Sequence, residues 1–149
     1  MPTQYKGDAG QVLALNTFIK FTRSVNSFLA RLYEHDTLDD LTMSQFGVLE
    51  ALYHLGPMCQ NELGHKILKS SGNMTLVIDN LEKKNLVKRT RSTEDRRMVM
   101  VSLTRDGEEL MERILPGHVA AIMEEMNVLN PEEQEKLGEL CRKLGKVSA

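Results

Sequence analysis

Apolar residues recur every three or four positions along most of this chain, and the breaks between those runs mark its elements. Over residues 11–33, Val12, Leu15, Ile19, Val25, Phe28, Leu29 and Leu32 follow helical spacing with few breakers. Phe18 and Phe21 widen the apolar surface beyond one stripe, so part of this long helix is expected to pack outside its own subunit's core. The segment HDTLDDL carries turn chemistry. Thr42, followed three positions later by Gln45, then has the form of a capping box. A second helix starts there, runs through Phe46, Val48, Leu49 and Leu52, and stops at Leu55-Gly56-Pro57.

Residues 60–68, QNELGHKIL, predict a short third helix with Leu63, Ile67 and Leu68 inward. Ser70, Ser71 and Gly72 break it, and Ser71 suits the cap of a fourth helix over residues 72–85. Met74, Val77, Ile78 and Leu81 form that helix's apolar face. The runs 86–91 and 98–103 carry β-branched residues around a charged turn at 92–97, the pattern of a β-hairpin. Thr104 is placed to cap a further helix whose first turn holds Asp106, Glu108 and Glu109. Pro116-Gly117 is expected to kink or interrupt it. Asn130-Pro131-Glu132-Glu133 is a complete start signal for a final helix ending near Leu144.

Composition narrows the class. At 149 residues, 41% hydrophobic and 27% charged, the chain fits one globular unit held by its apolar core. No apolar run approaches the length of a membrane helix, and MPTQYKGDAG lacks the features of a secretory signal, so the default compartment is the cytoplasm. Cys59 and Cys141 are too few for a disulfide scaffold, and neither they nor the scattered His35, His54, His65 and His118 have metal-site spacing. The neighbouring carboxylates Asp39-Asp40 and Glu124-Glu125 point in different directions on a helix, and no nucleophile, base and orienting group can be assigned together. An enzyme is therefore the weakest reading, and no cofactor is implied.

The net charge of −2 conceals a segregation. Residues 60–105 hold ten Lys/Arg against five Asp/Glu, a balance of +5, whereas the two flanks together carry −7. A basic middle between acidic flanks favours a polyanionic partner at one surface.

Two helices joined by a tight turn and followed by an arginine-rich hairpin make a winged helix-turn-helix, in which the second helix enters the major groove. The fold class is thus mainly α with a small β-hairpin wing. Opposite its apolar face, the fourth helix offers Asn73, Thr75, Leu76, Asp79, Asn80 and Lys83, with Asn73 and Thr75 able to reach base edges near a helix N-terminus suited to phosphate. The turn RTRSTEDRR puts Arg96 and Arg97 at a protruding tip, with Asp95 positioned to orient one of them, an arrangement suited to a narrow minor groove.

The run from Gly56-Pro57 through ELGHKILKSSGNMTLVIDNLEKKNLVKRTRSTEDRRMVMVSLTRDG resembles the winged-helix core of MarR-type transcriptional regulators, ending in a D-x-R wing followed by V-x-L-T. This motif covers about a third of the chain; the flanking helices match in placement. The resemblance implies a single domain over 1–149, with dimerisation helices at 1–36 and 107–149 that interlock between subunits, and a DNA-binding lobe at 40–106. It also implies a homodimer with two recognition helices in successive major grooves of double-stranded DNA, and regulation, as a repressor or an activator, modulated by a small-molecule effector or an oxidant. It makes Ser71, Asn73, Thr75 and Leu76 recognition contacts and Asp95 and Arg97 the wing pair. Arg91 and Arg96 become supporting phosphate or groove contacts, and Gln60 a weaker candidate for a backbone contact.

Cys59, just before the third helix, has the position of a thiol whose pKa a helix dipole lowers, but a small packing or capping residue is the simpler reading. The first helix lacks the cysteine through which some members of the family sense peroxides. Cys141, beside Leu140 and Leu144, is expected to be buried in the dimer interface, and the methionines of the C-terminal helices to serve as flexible packing. The alternative to a DNA-binding regulator is a winged-helix protein-interaction module whose basic face binds an acidic protein surface.

Overall fold

The computed structural model describes residues 2–67 and 71–146, and for Ser71 and Gly72 the backbone alone. Its elements are α1 (Ala9–Glu34), α2 (Met43–Leu55), β1 (Met58–Cys59), α3 (Gln60–Lys66), α4 (Ser71–Lys83), β2 (Val87–Arg91), β3 (Val99–Leu103), α5 (Arg105–Met126) and α6 (Pro131–Leu144). The chain divides into two compact units, one over Thr37–His118 and one joining Met1–Asp36 to Val119–Ala149. No helix among the described residues is long and apolar enough to cross a membrane.

The central unit is a winged helix-turn-helix. Thr42 and Gln45 close the capping box that starts α2, and Gly56, at φ 81°, ends it in a conformation that favours glycine. The strands form a three-stranded antiparallel sheet in the order β1-β3-β2. The hairpin pairs Val87 with Leu103 through Arg91 with Val99. The expected two-stranded hairpin thus gains a third strand, Met58 and Cys59, paired with Val101 and Met100. Two residues cannot display an alternation, so only the proximity of β3 decides that this segment is a strand.

The core of this unit joins Leu38, Leu41, Phe46, Leu49 and Leu52 to Leu63 on α3, to Met74, Ile78 and Leu81 on α4, and to Val87, Val101 and Met111. Thr104 ties wing to helix: its hydroxyl donates to the Asn85 carbonyl at 2.6 Å and accepts from the Gly107 N–H at 3.0 Å, capping α5 as expected. A Cβ on Gly107 would run into the Leu86 carbonyl oxygen, so this close approach of α5 to the entrance of β2 requires glycine. Of the two outcomes expected at Pro116-Gly117, an interruption does not occur: α5 runs through both residues. Both residues are exposed, so water can serve the carbonyl one turn back that the proline leaves without its N–H partner.

His118 is the one buried histidine among the described residues, 4% exposed, with Nδ1 2.9 Å from the Thr37 hydroxyl and its ring edge-on to Phe46. Burial pushes its pKa below the ordinary value of 6.5, opposed by the nearby Glu50 carboxylate. The unfolded chain therefore takes up this proton at higher pH than the folded one. The stability from neutral His118 is complete above about pH 6.5 and is lost as pH falls below it. We expect the thermal midpoint to fall between pH 7.5 and 5.5 by less in His118→Gln than in the parent. Parallel curves for the two proteins would show that His118 does not contribute to the pH dependence.

The terminal unit is built differently. Asp8 caps α1 with Gln11 in a capping box, and Asn130, Pro131 and Glu133 start α6 as their sequence predicts. Arg31 Nε lies 2.7 Å and His35 Nε2 3.0 Å from the Glu125 carboxylate, joining the end of α1 to the end of α5. The Arg31 hydrogen bond first, and that from His35 second, hold the Glu125 carboxyl below its usual range. The apolar face of α1 is largely uncovered within the chain: Leu13, Phe18, Phe21, Val25 and Leu29 are exposed, as are Leu137, Leu140 and Leu144 of α6. Between them runs an open groove of about 490 Å³, lined by Phe21, Val25, Phe28, Met126, Leu129 and Leu137, among others. Cys141 also lines this groove and is exposed within the single chain.

Candidate nucleic-acid interface

Most of the contacts expected from the sequence fall on α4. Helical spacing turns Met74, Ile78 and Leu81 into the core and leaves Asn73, Thr75 and Leu76 outward, with Leu76 60% exposed. An exposed leucine between two hydrogen-bonding side chains matches the mixed character of a major groove, where thymine methyl groups alternate with polar base edges. Ser71, expected at the cap, belongs by its backbone to the first turn of α4; its side chain lies outside the described residues, as do residues 68–70, with Leu68 and Ser70 among them.

A polar network sets the height and rotation of this helix. Gln60, the first residue of α3, donates from Nε2 to the Thr75 hydroxyl at 2.8 Å. Arg89, on β2, donates from Nε to Gln60 Oε1 at 3.3 Å and from Nη2 to the Thr75 carbonyl at 3.3 Å. Its Nη1 lies 2.6 Å from Asp79 Oδ1 and 3.1 Å from Glu82 Oε1. Thr75, Asp79 and Glu82 lie at i, i+4 and i+7 on one stripe of α4, so a single guanidinium spans two turns of the helix. Asp79, grouped by spacing with the outward residues, is instead engaged by Arg89. In the sequence Arg89 is only one of the ten basic residues of the middle block, and no spacing singles it out.

The wing is braced from within. Ser92 N–H donates to the Met98 carbonyl at 2.9 Å and Met98 N–H to the Asp95 carbonyl at 3.0 Å, closing the turn. Arg97 forms a two-pronged pair with Asp95, from Nε at 3.1 Å and from Nη2 at 3.2 Å, and its backbone N–H also donates to Asp95 at 3.0 Å. These bonds, the side-chain one first, hold the Asp95 carboxyl below the usual carboxylate range, so it stays ionised and keeps Arg97 oriented. The Arg97 side chain is nonetheless 91% exposed. Arg96 is exposed beside it, and Arg91 reaches back from β2 to donate to the Arg96 carbonyl at 2.6 Å. Arg91 thus supports the wing tip from the strand. Cys59 is buried as the residue preceding α3, where its side chain makes no capping hydrogen bond, so it serves packing rather than capping.

A helix-turn-helix with an outward polar face and a projecting basic wing defines a winged-helix DNA-binding protein. Comparison with known proteins agrees. The MarR family model matches residues 41–99. The chain is 37% identical over 132 residues to the HTH-type transcriptional regulator MhqR of Bacillus subtilis, covering 89% of this chain and 91% of that protein. Among solved structures, it superposes on Bordetella bronchiseptica BpsR, whose DNA binding is regulated by 6-hydroxynicotinic acid, with a TM-score of 0.77 at 25% identity, covering 99% of this chain and 100% of that one. A mutant MarR from E. coli complexed with operator DNA shares the fold, with a TM-score of 0.75 at 24% identity over 93% of this chain and 99% of that one. The chain belongs to the MarR family. It is a DNA-binding transcriptional regulator, not an enzyme.

Proposed function

We propose that this regulator is a homodimeric repressor that binds a pseudo-palindromic duplex site through paired winged helices and is released by a small-molecule effector in the cytoplasm. The observation that carries this reading is the outward face of α4, with Asn73, Thr75 and Leu76, set in the same unit as a wing whose Arg96 and Arg97 are exposed. In this reading Ser71, Asn73, Thr75 and Leu76 meet base edges, Arg96 and Arg97 reach the minor groove, Asp95 orients Arg97, and Arg91 and Gln60 support them. Residues 40–106 act as the DNA-binding lobe, and 1–36 with 107–149 supply the dimer helices. The exposed apolar faces of α1 and α6 favour that role, because uncovered stripes of this extent mark association surfaces. BpsR's regulation by 6-hydroxynicotinic acid makes aromatic hydroxy acids the first effector class to screen.

The test is selection of purified protein on a random duplex library, with light scattering on the same sample. Enrichment of a two-fold symmetric site by a dimer, with half-sites centred about 10 bp apart, is the expected result. Affinity for that site should fall steeply with salt, because phosphate contacts release counterions. A monomer in scattering, or enrichment of one unpaired half-site, would overturn the homodimer reading. Failure to enrich any duplex, with binding to an acidic protein surface instead, would favour an interaction module.

A further inference from the structure

The exposed helix faces lead back to the dimer already proposed. The network around Arg89 reaches further, because one side chain on β2 there touches both α3 and α4 at the point where the recognition helix meets the wing. We infer that Arg89 is a positioning residue for base readout: it contacts no DNA and sets, through Gln60, the presentation of Thr75 to the major groove. This inference rests on the DNA-binding reading of α4.

Charge comes first. The Arg89 guanidinium sits between two carboxylates, Asp79 at 2.6 Å and Glu82 at 3.1 Å, and its side chain is only 21% exposed. A phosphate would have to displace two carboxylates to use it, whereas Arg96 and Arg97 stand exposed on the same hairpin. Arg89 is thus a poor phosphate ligand despite its place in the basic block.

Geometry gives the positioning role. A guanidinium has donors only, so when Nε takes Gln60 Oε1 at 3.3 Å it leaves the amide NH2 of Gln60 to face the Thr75 hydroxyl, 2.8 Å away. The same guanidinium holds the Thr75 carbonyl from Nη2 at 3.3 Å, and the Arg89 backbone N–H donates to Glu82 at 3.2 Å. Thr75 is therefore gripped at its carbonyl by Arg89 and at its hydroxyl by Gln60, while β2 supplies the anchor. Lysine at this position keeps the charge and loses the planar fork that makes these contacts together.

The experiment compares Arg89→Lys, Gln60→Ala and their combination with the parent by duplex selection and by titration across a salt series. Arg89→Lys should weaken binding to the parent's site by about tenfold and broaden preference at the base pairs that Thr75→Ala also relaxes. The slope of log affinity against log salt should stay that of the parent, because no phosphate contact is lost. Gln60→Ala, which leaves Asp79 and Glu82 paired with Arg89, should broaden the same positions, and the double variant should lose little more than Arg89→Lys alone. A slope reduced by about 0.9 per protomer with unchanged base preference would make Arg89 a phosphate ligand and overturn the inference. Losses that simply add would overturn it too. A Gln60→Ala profile identical to the parent's would do so even if Arg89→Lys failed to fold. A parent protein that enriches no duplex would overturn the DNA reading itself, and this role with it, an outcome distinct from a parent site that survives unchanged in Arg89→Lys.

Discussion

Leu63→Ala is expected to destabilise the protein by about 2–5 kcal/mol, the cost of removing a fully buried leucine and leaving part of its volume empty. Leu63 is 0% exposed and belongs to the core cluster with Met74 and Ile78 of α4. Its helix, α3, spans only Gln60–Lys66. A helix this short has little stability of its own in water, so tertiary burial of Leu63 is what keeps it formed. The loss should therefore appear both in chemical denaturation and in DNA binding, because α3 carries Gln60 to Thr75. Denaturation should be followed at fixed protomer concentration, since association shifts apparent stability. Leu55→Ala, at a side chain 59% exposed, provides the contrast and should change stability by no more than about 0.5 kcal/mol. A Leu63→Ala midpoint within that same margin would show that the packing around α3 tolerates the cavity.

Arg97→Ala should weaken binding to the selected site by about 5- to 150-fold, which corresponds to about 1–3 kcal/mol for a well-placed polar DNA contact. Preorganisation sets the size of this effect. The wing side chain is 91% exposed, yet its guanidinium is already held by Asp95 through two donors and a backbone bond. Little side-chain freedom is left to lose when it enters a groove, so most of the contact energy should appear as affinity. Arg97→Lys should recover only part of the loss, because an ammonium cannot keep the two-pronged pair with Asp95 while projecting from the turn. The protein should remain as stable as the parent, since an exposed ion pair at a turn contributes little to folding. Parental affinity for Arg97→Ala on every duplex tested would remove the wing from the interface.

Local chemistry explains why so much of this fold was legible. Thr42 with Gln45 and Asn130 with Glu133 satisfy orphan N–H groups within four residues, so their meaning travels with the sequence wherever the helices lie. The Asp8–Gln11 box is equally local, and places the start of α1 two residues before the apolar run that first marked it. The wing pair of Asp95 and Arg97 is also local, two positions apart in a turn. Whether Pro116 ends the helix depends on exposure, which spacing does not show: a helix cannot spare the N–H in a dry core, but on a wet face it can.

The sequence by itself determined the order of the helices, the capped starts of α2, α5 and α6, the hairpin, the segregation of charge and the apolar face of α4. All of these follow from spacing and from bonds made between near neighbours. Tertiary structure alone decided that Met58 and Cys59 form a third strand, that Gly107 must leave room for the Leu86 carbonyl, and that Arg89 joins Gln60, Thr75, Asp79 and Glu82 into one network. Those contacts link residues up to some forty positions apart, as between Met58 and Val101. Such pairings leave no periodic trace along the chain, because they depend on where packing of the core brings each element to rest.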